Sequence, residues 1–127
     1  MKVILDTQAY SDFCRGRPEA KDAVQRAEQI VLPIMVLAEL RAGFACGSRS
    51  AHNEAQLNRF LASPRVQILA PDEETTYHYA RLFSQLRKQG TPIPTNDLWI
   101  AALAAQHELY LFSTDKHFDL LPQILRC

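Results

Sequence analysis

Short, nearly unbroken apolar runs alternate along the chain with longer stretches whose apolar positions recur every three or four residues. The runs are Val3-Ile4-Leu5, Ile30-Val31-Leu32, Val66-Gln67-Ile68-Leu69 and Leu109-Tyr110-Leu111-Phe112. Runs this short, rich in β-branched and aromatic residues and mostly without in–out alternation, predict parallel strands covered on both faces. Between them the spacing predicts helices over residues 18–29, 35–44, 51–62, 73–89 and 97–107. Strand–helix alternation means βα units, hence an α/β fold with a central parallel sheet. Ile124-Leu125 is predicted as a short edge strand.

The last two helices differ in pattern. Over 73–89, Thr76, Tyr79, Ala80, Phe83 and Leu86 form one stripe, predicted to face the core. Leu98 to Ala105 is apolar all round, so that helix must be buried on most sides. Pro92 and Pro94 exclude a helix before it, and Thr95 or Asn96 is placed to cap it, which puts Asp97 in the first turn.

Composition narrows the class. With 127 residues, no repeat and no linker, a single domain spanning 1–127 is expected. Fourteen basic residues balance fourteen acidic ones, so a polyanion partner must be held by a local patch, not by a global field. Cys14, Cys46 and Cys127 are odd in number and lack metal-type spacing, which argues against a disulfide framework and fits a reducing cytoplasmic location. No stretch approaches the roughly 18 apolar residues of a membrane span, and Val3-Ile4-Leu5 is too short for an export signal.

The candidate chemistry lies in four carboxylates bordering apolar sequence. Asp6 closes the first strand, Glu39 sits inside Leu37-Ala38-Glu39-Leu40, Asp97 opens the apolar helix, and Asp115 follows the fourth strand. Each also has a purely structural reading: Asp6 and Asp115 as helix caps, Asp97 as a complement to the helix dipole, Glu39 as a solvated charge. In an open parallel sheet, however, ligands bind beyond the carboxyl ends of strands at the switch point, where Asp6 and Asp115 converge if the first and fourth strands are neighbours. Two unit charges about 5 Å apart repel by roughly 3 kcal/mol at an effective dielectric of 20, so a converged quartet needs a cation or protonation. Oxygen donors select Mg²⁺ or Mn²⁺, and zinc is disfavoured because neither His nor Cys belongs to the set. Such a centre activates water against a phosphodiester.

Ile4-Leu5-Asp6-Thr7, Leu37-Ala38-Glu39-Leu40-Arg41-Ala42-Gly43, Asn96-Asp97-Leu98-Trp99-Ile100-Ala101-Ala102 and Ser113-Thr114-Asp115-Lys116-His117-Phe118, in this order and spacing, resemble a PIN domain of the VapC type. The resemblance covers nearly the whole chain. It implies a three-layer α/β/α sandwich and a metal-dependent endoribonuclease with Asp6, Glu39, Asp97 and Asp115 as its acidic quartet. It further implies the toxin of a toxin–antitoxin pair, dimeric and silenced by a cognate antitoxin whose C-terminal segment wraps the active-site groove. Gln8 stands where the family often has Asn or Ser, and Asp119 adds an acidic residue near the fourth position, read here as the start of the last helix.

For RNA contacts, Lys116 beside Asp115 is the candidate phosphate ligand, with Arg41 a weaker one. Thr7, Ser113 and Thr114 are read as backbone-capping hydroxyls, His117 as a packed or exposed histidine instead of a proton shuttle, and Trp99 and Phe118 as core. Two rivals stand beside the nuclease. One is a receiver-like Mg²⁺-binding module, which would want adjacent acidic residues after the first strand, where Thr7 follows Asp6. The other is a catalytically silent binding partner, against which the four intact carboxylates speak.

Overall fold

A computed structural model describes residues 1–127. The chain runs β1 (Lys2–Leu5), α1 (Thr7–Cys14), α2 (Pro18–Arg26), β2 (Gln29–Pro33), α3 (Ile34–Cys46), α4 (Ser50–Leu61), β3 (Val66–Leu69), α5 (Glu73–Gln89), α6 (Thr95–Gln106), β4 (Tyr110–Phe112) and a final 3₁₀ helix, Lys116–Leu120. All strand pairs are parallel, in the order β3-β2-β1-β4. With the right-handed crossovers that parallel strands require, α1 to α4 fall on one face as the chain steps outward from β1 through β2 to β3. The return from β3 to β4 reverses direction and lays α5 and α6 on the other. This gives the expected three-layer sandwich, with its switch point between β1 and β4.

Strands β1, β2 and β4 together with α6 hold the core: Ile4, Leu5, Leu32, Leu103 and Leu111 are fully buried. Leu98 and Ile100 to Ala104 are buried along α6, as its all-round apolar sequence requires. No helix is long and apolar enough to cross a membrane.

Four local expectations are corrected. Helix α1 was not signalled by periodicity: its eight residues mix Gln8, Ser11 and Asp12 with Ala9 and Tyr10, too short a span for a helical period to declare itself. On α5 the buried positions are Thr75, Leu82 and Leu86, whereas Thr76, Ala80 and Phe83 are exposed. Tyr79 is only partly buried at the margin of the core, its ring centroid 6.4 Å from that of Phe83 and 4.3 Å from that of Trp99. Neither Thr95 nor Asn96 caps α6; Pro94 is the N-cap, without a side-chain bond, and its carbonyl accepts from Leu98 N. The chain end forms a single parallel bridge, Leu111 to Arg126, in place of a strand at 124–125.

Candidate metal centre

Strands β1 and β4 pair through Leu5 and Phe112, so the next residues on each, Asp6 and Ser113, leave the sheet side by side. Asp6 is the N-cap of α1: one carboxylate oxygen accepts from Ala9 N at 2.8 Å. The other accepts from the Ser113 hydroxyl. Ser113 Oγ in turn accepts from Asp115 N at 3.0 Å, and Asp115 caps the 3₁₀ helix by accepting from His117 N at 2.9 Å. This tight turn brings the His117 ring back over the edge, with Nδ1 2.9 Å from Asp97 Oδ2 and 3.0 Å from Asp115 Oδ1. Asp97 reaches the same place from the first turn of α6. From α3, Glu39 accepts a hydrogen bond from Thr7 Oγ1 at 3.1 Å.

The capping reading and the clustering reading of Asp6 and Asp115 therefore hold together. A capping carboxylate spends one oxygen on the backbone and keeps further lone pairs for other partners.

Electrostatics link the quartet. Asp6 is 4% exposed, and burial pushes its carboxyl above the usual 3.8; bonds from Ser113 and Ala9 oppose this, while Asp97 and Asp115 add to it by repulsion. Burial likewise raises Asp97, against the His117 hydrogen bond, with Asp115 and Glu39 raising it further. His117 is pushed above 6.5, chiefly by its hydrogen bond to Asp97; desolvation opposes this, and the charges of Asp115 and Asp97 add to the rise. A concentration of negative charge that disfavours its own ionisation is a set of groups suited to a divalent cation, and hard carboxylate oxygens fit Mg²⁺ or Mn²⁺.

All four predicted carboxylates are thus brought to one edge. Asp119 is not: it pairs with Arg126 Nη1 at 3.0 Å. Lys116 is exposed beside the cluster, while Arg41 pairs with Glu54 at 3.0 Å on the outer side of α3. Phe118 is 1% exposed, in the core as expected; Trp99 is only partly buried.

Two expectations need correction. The hydroxyls of Ser113 and Thr7 bond carboxylates of the cluster as well as, for Ser113, the backbone. And His117, expected as a merely packed or exposed histidine, sets its Nδ1 against both Asp97 and Asp115, the three side chains offering atoms within 4.8 Å of one another. Sequence spacing missed His117 because its position depends on the sharp 3₁₀ turn and not on helical or strand period; Asp115 as an N-cap two residues earlier was the available signal. Also unforeseen was the burial of Asp12 on α1, held by Gln8 Nε2 at 2.8 Å and Arg17 at 3.6 Å.

Comparison with known proteins agrees with this fold. The PIN domain family profile matches residues 3–123. Ribonuclease VapC1 of Haemophilus influenzae is 33% identical over 108 residues, covering 82% of this chain and 79% of that protein. Among solved structures, VapBC2 of Rickettsia felis bound to a promoter DNA fragment superposes with a TM-score of 0.87 at 24% identity, over 100% of this chain and 98% of that one. VapBC-5 of Mycobacterium tuberculosis, from a family of toxin–antitoxin systems, gives 0.77 at 29% identity over 99% and 98%. The profile match leaves no place for the receiver-like reading.

Proposed function

The chain belongs to the PIN-domain family, and from that premise we propose that it is a metal-dependent endoribonuclease acting as the toxin of a toxin–antitoxin pair. The observation carrying the proposal is the meeting of Asp6, Asp97 and Asp115, with Glu39 at their margin, beyond the carboxyl ends of β1 and β4. Asp97 and Asp115 would hold a Mg²⁺ or Mn²⁺ ion directly, Asp6 directly or through water, and Glu39 on the side facing α3. Such an ion supplies a polarised water and charge stabilisation at a phosphodiester oxygen.

The chain's own residues prepare the place. Ser113 and Ala9 fix both oxygens of Asp6, so the buried carboxylate keeps one orientation without solvent to reorient it. Thr7 steers Glu39 toward the same edge from the first residue of α1. Lys116, exposed next to Asp115, is positioned to hold an RNA phosphate.

As partners we propose a cognate antitoxin protein, in line with the VapBC complexes of its structural relatives, and a second copy of the chain. The free cysteines fit a cytoplasmic site of action. Cleavage of a labelled RNA by the purified protein, with and without Mn²⁺ or EDTA, tests the activity. Light scattering tests the dimer. Intact RNA with a correctly folded, metal-loaded protein would leave the catalytically silent reading in its place.

A further inference from the structure

Within the metal reading just proposed, one atom stands apart from the carboxylates. Nδ1 of His117 lies 2.9 Å from Asp97 Oδ2 and 3.0 Å from Asp115 Oδ1. A ring nitrogen carries at most one hydrogen, directed along the ring plane, so it serves one of these oxygens well and leaves the second facing it with little gain. A cation that displaces the Nδ1 proton satisfies all three, since the freed nitrogen and both carboxylate oxygens then present lone pairs to it, and the three side chains already offer ligand atoms within 4.8 Å of one another.

The ring is also built into place. The His117 backbone N is tied to Asp115 Oδ1 at 2.9 Å, and the following side chain, Phe118, is 1% exposed. The imidazole is thereby aimed from a turn fixed at both ends. Its side chain is 44% exposed, against 18% for Asp97, so the ring stands at the solvent edge of the cluster.

We propose that His117 contributes Nδ1, once it has lost its proton, as a nitrogen ligand to the ion held by Asp97 and Asp115, biasing the centre toward first-row transition-metal ions over Mg²⁺, with Mn²⁺ as the spectroscopically visible probe. Mg²⁺ dehydrates reluctantly and prefers an all-oxygen octahedron, whereas imidazole suits transition metals. His117 therefore sets which metal the centre takes, a property the carboxylates alone do not determine.

Two measurements on the full chain decide it. Pulsed EPR of Mn²⁺ bound to the wild type should show coupling to a directly bound ¹⁴N, absent in His117→Ala. Calorimetric titration with each metal alone should show Mn²⁺ binding weakened by about tenfold or more in His117→Ala, with Mg²⁺ affected much less. Melting in EDTA checks that the variant folds, and the wild-type EPR signal stands without it. Mn²⁺ bound with no nitrogen coupling, or equal weakening of both ions, overturns the nitrogen ligand and leaves the metal centre standing. No Mn²⁺ binding by the wild type at millimolar concentration removes the metal centre and this ligand together.

Discussion

The hydroxyl of Ser113 donates to the carboxylate of Asp6 across 107 positions of sequence, joining the ends of β1 and β4 by one hydrogen bond. Both residues are buried, so no water replaces the bond if it is lost. Ser113→Ala should lower RNA cleavage and Mn²⁺ affinity by about tenfold to a hundredfold, the usual effect of removing a group that orients a ligand. Cleavage assays and calorimetry on the same preparation check it; unchanged values in both would mean that Asp6 keeps its orientation without help.

Asp6 also makes stability depend on pH. Burial raises its folded pKa above 3.8, so the protonated form is the one the fold prefers. The stability that proton contributes is fully present below the unfolded value and is lost as pH rises through the folded one. In EDTA, Asp6→Asn should therefore melt higher than wild type at about pH 7, and this advantage should shrink toward about pH 4. Asn keeps an oxygen for Ala9 N, and the Ser113 hydroxyl can turn to accept from its amide. Thermal melts at both pH values test this, and a gain equal at both would contradict it.

Much of this site was legible before any coordinates. Val3-Ile4-Leu5 and Leu109 to Phe112 marked strands, and the switch-point rule placed Asp6 and Asp115 at one edge once those strands were neighbours. What stayed hidden depended on short-range geometry without a period. The eight residues of α1 were too few to show one, and His117 enters the cluster only through the cap that Asp115 makes on a 3₁₀ turn. The α5 stripe misled because Tyr79 and Phe83 are as apolar as core residues, yet Phe83 is exposed and Tyr79 stacks on it while its other partner is Trp99, itself only partly buried.

Phe118 anchors that 3₁₀ turn. At 1% exposure its truncation leaves a cavity, and Phe118→Ala should cost about 3–5 kcal/mol. Metal affinity should fall with it, because Asp115 and His117 lie on the turn that Phe118 anchors. Chemical denaturation gives the first quantity and calorimetry the second; a loss under about 1 kcal/mol would mean the turn is held by other contacts.

Lys116 and Arg41 should separate by kinetics. Lys116→Ala should raise KM for RNA with kcat little changed and reduce the salt slope of binding by about one. Arg41 is engaged with Glu54 in a half-exposed pair worth about 0–1 kcal/mol, so Arg41→Ala should leave cleavage unaltered. Equal KM effects from both would place the RNA along α3 instead.

The central claim is that the cluster at the ends of β1 and β4 is a catalytic metal centre, and Asp97 tests it most directly. Asn at this position keeps the shape of the side chain and a hydrogen-bonding oxygen for His117 while removing the charge. Single-turnover cleavage of a labelled RNA in Mn²⁺ should be lost in Asp97→Asn, and lost in the wild type on addition of EDTA, with both proteins folded by circular dichroism. Cleavage by the folded variant at the wild-type rate, or by the wild type undiminished in EDTA, would contradict it.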